Sequence, residues 1–378
     1  LIIELDANQE YKIVVCGYGS ESGSYTLLVG RPLEEEVILM PWFNPGVDPY
    51  SYISQQAMNY LNDSDDTVIE IPIAYHIIKS PGSTEYFNNS DTSTEINYNT
   101  IIGYQQERND LAFVDGETAE SMKPYDDPDF TPGGTRIKIR FVLLTKNDGN
   151  NYYSLSETTN TSWLGGVDIK PGYADQGGQK FTEYLDSLGN LPIYHNGKPV
   201  CNIYCSNEGP ALGYAEFPDN STVGTQGHGI WLLTKSMPFL KSDITGNPSQ
   251  GVFAGGGTLP HEIGHWLGLY HTFQNLNCAV YRGGERSLDT PIHYNSDSGS
   301  YLDSLGNRYP KESTMIPDDC TSDPGRNPVY NYMNYTYDDT IMCFTDDQYA
   351  IMLGSIFLFM PIFGLSFKRV PRSSRFIV

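Results

Sequence analysis

Residues 261–271, HEIGHWLGLYH, constrain this chain more tightly than any other stretch, because they gather three of its seven histidines into eleven positions. Residues four apart share a helical face, so His261 and His265 present their imidazoles to one point. Glu262 flanks the same point. His271 lies too far along a continuous helix to join them. Gly268 removes that difficulty, since glycine enters left-handed backbone at little cost and commonly ends helices. The chain then turns, and His271 returns to close a site of three nitrogens. The plainer reading is an amphipathic helix in which Trp266, Leu267 and Leu269 pack a core. The full spacing HExxHxxGxxH gives five positions separate mechanical jobs and points instead to zinc held by His261, His265 and His271, with a fourth position open to water. Glu262 is then the general base.

Composition narrows the partners. The chain has 46 acidic and 23 basic residues, a net charge of −23 and a pI near 4.5. Nucleic-acid binding needs a basic footprint and is disfavoured. At 39% hydrophobic and 13% aromatic, the 378 residues can bury a substantial core. The chain opens on LIIELDANQE, with neither an initiator methionine nor a signal-peptide pattern, and is expected to be a fragment of a longer, exported protein.

Four parts are expected. Residues 1–31 alternate as strands around SESGS and read as the tail of an accessory β-domain, resembling the last hairpin of small β-sandwiches appended to secreted peptidases. Residues 32–67, with four prolines in the first half and an acidic run, read as a linker. Residues 68–365 form the catalytic domain, and 366–378 a basic tail. Within the domain, VIEIPIAYHII, RIKIRFVLLT, VCNIYCS, ALGYAEFP and GIWLLTKSMPF predict strands. Helical spacing at Ile101, Ile102, Tyr104 and Leu111 predicts a helix. The sum is an α+β fold, a mixed sheet with helices packed on it. His76 is expected to pack in its strand, His195 and His293 to be solvated in polar loops, and His228 either to line the cleft or to pack.

The motif resembles the zinc signature of the metzincin metallopeptidases, and HEIGHWLGLYHTFQ is similar to their pappalysin (cytophagalysin) branch. NYMNYTYDD resembles that branch's Met-turn, which makes Met333 the floor beneath the metal and Tyr335 a stabiliser of the oxyanion. LGYAEFP and the DTP at Asp289–Pro291 also resemble family features, so the likeness runs over about residues 68–350. It implies a twisted mixed sheet, a backing helix and a zinc helix above an irregular lower half. Peptide substrates would lie extended along an exposed sheet edge. It further implies calcium in the loop after His271, where Glu285 and Asp289 offer hard oxygens; a solvated acidic loop explains the same residues. Some relatives favour arginine after the scissile bond, held by an acidic residue past the Met-turn. Asp338 and Asp339 are the candidates here, with surface-loop carboxylates as the alternative. Two departures stand out: Asn334 replaces a common aspartate, and Cys343 stands where the family cysteine aligns near Ile341.

Six cysteines allow about fifteen full pairings. Cys201 and Cys205, about 13 Å apart on one strand face, cannot bridge. Cys278–Cys320 is the favoured pair, and Cys16 reads as a buried structural cysteine or a zinc-capping thiolate of a pro-segment. Residues 350–367 carry no charge and precede Lys368, Arg369, Arg372 and Arg375. That is near the minimum for a membrane anchor. Against it, Thr345 and Gln348 form a capping box that starts a helix at Asp346, and Pro361 ends or kinks it. A packed terminal helix is the preferred expectation. Function follows as a secreted or cell-surface zinc endopeptidase. A binding module or adhesin on the same scaffold, and a non-peptidase zinc hydrolase, are the alternatives.

Overall fold

The structure, a computed structural model, describes residues 67–79, 98–118, 133–145, 153–157, 194–196, 198–206, 211–218, 223, 228–238, 253–274, 287, 289–291, 293, 320, 327–338, 340–359 and 368–369. The expected calls at Cys16, Cys278, Glu285 and Asp339, and the accessory strands of residues 1–31, lie outside them.

The first described strand, β1 (Thr67–Lys79), is the middle of the sheet. Val68, Ile69, Ile71, Ile73, Tyr75, Ile77 and Ile78 are all buried, the near-continuous apolar run of a strand covered on both faces. β2 (Ile139–Leu143) pairs in parallel with the first half of β1, and β3 (Tyr153–Glu157) in parallel with its second half. A short hairpin, β4 (Tyr194–His195) and β5 (Lys198–Pro199), follows. β6 (Cys201–Ser206) lies parallel on the other side of β1, in the register Ile73 to Cys201, and every residue of it is buried. β7 (Gly213–Ala215) and β8 (Gly229–Leu233) complete the order β2-β1-β6-β8-β7. β8 is parallel to β6, whereas β7 runs antiparallel to β8 and forms the edge. The sheet is mixed, as expected. Lys368–Arg369, expected in the basic tail, pair antiparallel with Val68 and Thr67 as β9.

Three α-helices are described. α1 (Tyr98–Phe113) buries Tyr98, Ile101, Ile102, Gln105, Asn109, Ala112 and Phe113. Tyr104 and Leu111, expected on the apolar face, are 39% and 56% exposed. Two amides misdirected the periodicity. Gln105 Nε2 donates to Asn109 Oδ1 (3.2 Å) and to Gly256 O (2.9 Å), and Asn109 Nδ2 donates to Tyr75 OH (3.5 Å). Buried polar groups with partners fit a core stripe.

α2 (Thr258–Trp266) is buried along its whole length. It stops where predicted: Gly268 has φ +96°, its N–H donates to His265 O (2.8 Å), and the Leu269 N–H donates to Gly264 O (2.9 Å). These two bonds are a Schellman cap. α3 (Asp346–Phe359) starts with the expected capping box. Thr345 N–H donates to Gln348 Oε1 (3.0 Å), and Gln348 N–H donates to Thr345 Oγ1 (3.2 Å). Tyr349, Ala350, Ile351, Met352, Leu353 and Ile356 are buried, so α3 packs in the core beneath the turn at Gly268. Among the described residues, no helix is long and apolar enough to cross a membrane.

Candidate active site

α2 carries the first two histidines one turn apart, and the turn at Gly268 returns the third. His261, His265 and His271 place their ligand atoms within 4.8 Å of one another. Their tautomers follow from their partners. His261 Nδ1 lies 2.6 Å from Tyr332 O, His265 Nδ1 2.6 Å from Leu269 O, and His271 Nδ1 3.2 Å from Gln274 Oε1. A carbonyl oxygen only accepts, so each Nδ1 carries the proton and each Nε2 keeps a lone pair. The Nε2 atoms of His265 and His271 are 3.0 Å apart. Two lone pairs that close repel each other unless they share a cation. Three neutral, converging imidazole nitrogens, each oriented through its other nitrogen, fit zinc.

Burial keeps the imidazoles neutral. It lowers His261 to about 3, with the nearby His271 adding to the effect and the Tyr332 carbonyl opposing it. Burial likewise lowers His271 to about 4 against the Gln274 side chain, and lowers His265, whose histidine neighbours push the same way.

Glu262 is buried, and among the described residues its Oε2 has no hydrogen-bond partner. Burial raises its carboxyl above the ordinary range, and a dication bound beside it would pull the other way. Edge strand β7 comes close here: a Cβ on Gly213 would stand 2.8 Å from both Glu262 Cγ and Oε1. A pocket of about 310 Å³ opens between them, bordered by Leu212, Gly213, His261, Glu262, Tyr335 and Asp338.

Below, Met333 is fully buried and its sulfur abuts Gly264, where any Cβ would collide with it. Tyr335 is 39% exposed, with its ring centroid 5.5 Å from that of His261 and 4.9 Å from that of His271. Burial, and then Glu262, raise its phenol above the ordinary value.

Several expectations change. Asp338 is not a surface carboxylate: it is 6% exposed, and its Oδ2 accepts the Gly255 and Gly257 amides (2.8 and 3.0 Å) at the start of α2. A negative charge there complements the helix N-terminus. Asp289 is held from both sides, by Ser287 Oγ (2.6 Å) and the Asp347 amide (3.0 Å). Among the described residues, the three histidines are the only group of three or more metal-ligating side chains. His293 is not solvated but 2% exposed, against Thr272 Oγ1 at 2.8 Å. His76 packs as expected, with Nε2 2.8 Å from Asn202 Oδ1, and His228 stacks on Trp266. Cys201, Cys205 and Cys343 are free, so no bridge has moved to Cys343. Cys320 is buried, and its expected partner Cys278 lies outside the described residues. Sequence reasoning missed Gln274, whose signal was its place three residues after His271. It also missed Phe273, which stacks on the His271 ring at 4.8 Å.

Comparison with known proteins agrees with this geometry. Residues 240–356 match the peptidase family model described as pregnancy-associated plasma protein-A. An extracellular metalloprotease of Colletotrichum graminicola is 35% identical over 150 residues, 39% of this chain and 46% of that protein. One from Neurospora crassa is 34% identical over 151 residues, 39% and 45% respectively. The chain thus spans about half the length of the curated relatives it matches. Mature mirolysin of Tannerella forsythia, solved with a cleaved peptide, is similar at 23% identity and a TM-score of 0.45, over 75% of this chain and 90% of that one. Residues 240–356, which hold HEIGHWLGLYH and NYMNYTYDD, thus resemble the pappalysin family of metzincin metallopeptidases.

Proposed function

We propose that this chain is the catalytic part of a secreted zinc endopeptidase. The observation that carries the proposal is the partnerless Oε2 of buried Glu262, set beside three converging imidazole nitrogens at the rim of a pocket. A zinc ion held by His261, His265 and His271 supplies Lewis acidity toward a water and a substrate carbonyl. Glu262 takes a proton from the attacking water and returns it to the leaving amine. Tyr335 donates a hydrogen bond from its hydroxyl to the developing oxyanion. The outer edge of β7 pairs with the substrate backbone as an added strand, which lays the scissile bond along Glu262. Asp338, at the pocket wall with Asp339 next in sequence, favours a cationic side chain just after that bond. The extracellular relatives support secretion. Calcium in the loop of Glu285 and Asp289 completes the reading, and its removal by a calcium-selective chelator lowers the melting temperature.

The decisive test uses casein and a set of basic and neutral peptides. Activity is lost with a zinc chelator and with Glu262→Ala, while Glu262→Ala retains zinc by elemental analysis. A Glu262→Ala variant that still cleaves casein refutes the assignment.

A further inference from the structure

The three histidines are aimed by main-chain carbonyls, and those carbonyls must themselves be held. Tyr332 O fixes the His261 ring. The next carbonyl, Met333 O, accepts the Thr272 amide (3.2 Å) directly after His271. Two of the three ligands therefore rest on one short piece of backbone, the Met-turn. That backbone is fastened at the Met333 amide, which donates to Asn331 Oδ1 (2.9 Å).

Asn331 is fully buried, and its amide faces the amide of Gln348, which is also fully buried. Asn331 Nδ2 donates to Gln348 Oε1 (2.8 Å), and Gln348 Nε2 donates to Asn331 Oδ1 (3.2 Å). Gln348 Oε1 also accepts the Thr345 amide that closes the capping box of α3. One side chain thus completes a helix cap and clamps the Met-turn.

We propose that Gln348 is a positioning residue for the three-histidine centre, acting through Asn331 and the Met-turn backbone on His261 and His271. The inference rests on the zinc reading above. An apolar residue at position 348 leaves the Asn331 amide without its partner in a dry site, where an unmet polar group is costly and the surrounding structure shifts to satisfy it. The shift falls on Asn331, hence on the Met333 amide, hence on the carbonyls that aim the ligands. Groups that orient metal ligands are worth about ten- to a hundredfold in metal affinity. Loss of Gln348 belongs in that range although it stands two contacts further from the metal.

The test measures zinc dissociation constants of the 378-residue chain by chelator competition, with folding checked by circular dichroism. Gln348→Met removes the clamp and keeps the length of the side chain. Asn331→Asp retains the acceptor for the Met333 amide and removes the donor to Gln348; it carries the test if Gln348→Met does not fold. Ile356→Val loosens the same helix without touching the relay. Zinc affinity falls about tenfold or more in Gln348→Met and Asn331→Asp, and stays within about twofold in Ile356→Val. Unchanged affinity in the first two variants, with wild-type binding intact, overturns this inference alone, as does an equal loss in Ile356→Val. A wild-type chain that binds no zinc overturns the metal reading and this inference with it.

Discussion

Gly268→Ala isolates the turn that brings His271 into the site. Two separate penalties apply. The backbone at φ +96° lies in the left-handed region, which costs a residue with a Cβ about 1–2 kcal/mol. The new Cβ would also stand 2.6 Å from Ser355 Oγ on α3, well inside contact distance. Overpacking a tight interior costs about 1–3 kcal/mol. Together they predict a loss of about 2–5 kcal/mol. The two terms are separable, because Ser355→Ala removes the clashing oxygen. The next atoms, Pro218 Cγ at 3.6 Å and Ser355 Cβ at 3.7 Å, are in ordinary contact. In that background Gly268→Ala costs only the backbone term, about 1–2 kcal/mol, and the difference is the coupling energy of the pair. Urea unfolding followed by tryptophan fluorescence, at equal m-values, measures all four corners of the cycle. A Gly268→Ala loss below about 0.5 kcal/mol, the usual scatter of neutral substitutions, refutes the claim that the turn requires glycine. A full loss that persists beside Ser355→Ala refutes the contact with α3.

Tyr335→Phe lowers kcat by about a hundred- to a thousandfold with KM little changed, since it removes one oxyanion donor; an unchanged kcat shows that another group does this work. His271, lowered to about 4 when folded against about 6.5 when unfolded, binds its proton more readily in the unfolded chain. Its contribution to the stability of the metal-free chain is therefore whole above about pH 6.5 and is lost as pH falls toward about 4. Across that window the metal-free wild type has a slope of stability against pH steeper by about one proton than His271→Gln, and identical slopes contradict the assignment. Peptide mapping without reductant joins Cys320 to Cys278; a fragment joining Cys320 to Cys16 shows the wrong partner was chosen.

The parts of the site that were legible are those whose cause is local in sequence. His261, Glu262 and His265 follow from one helical period, and Gly268 from its own backbone freedom. The capping box of α3 spans four residues and announced its first turn correctly. What escaped depends on partners far along the chain. The stripe of α1 was misjudged because Gln105 is buried against Gly256, 151 residues away. His293 looked solvated in its own loop and is in fact shut in against Thr272. Asp338 reads as a surface acid beside Tyr337, yet it holds amides 81 and 83 residues upstream. Asn331 and Gln348 are unremarkable amides until α3 brings them together.

The dependence of the metal centre on α3 has a consequence for biosynthesis. Gln348 follows His271 by 77 positions (348 − 271), so every zinc ligand leaves the ribosome before the residue that steadies the Met-turn. At about 5–20 residues per second this gap lasts about 4–15 s. During that interval the nascent chain carries Glu262 and all three histidines but lacks the side chain that clamps the Met-turn beneath two of them. On the reading proposed above, the three-histidine centre reaches its full affinity for zinc only after translation has passed α3.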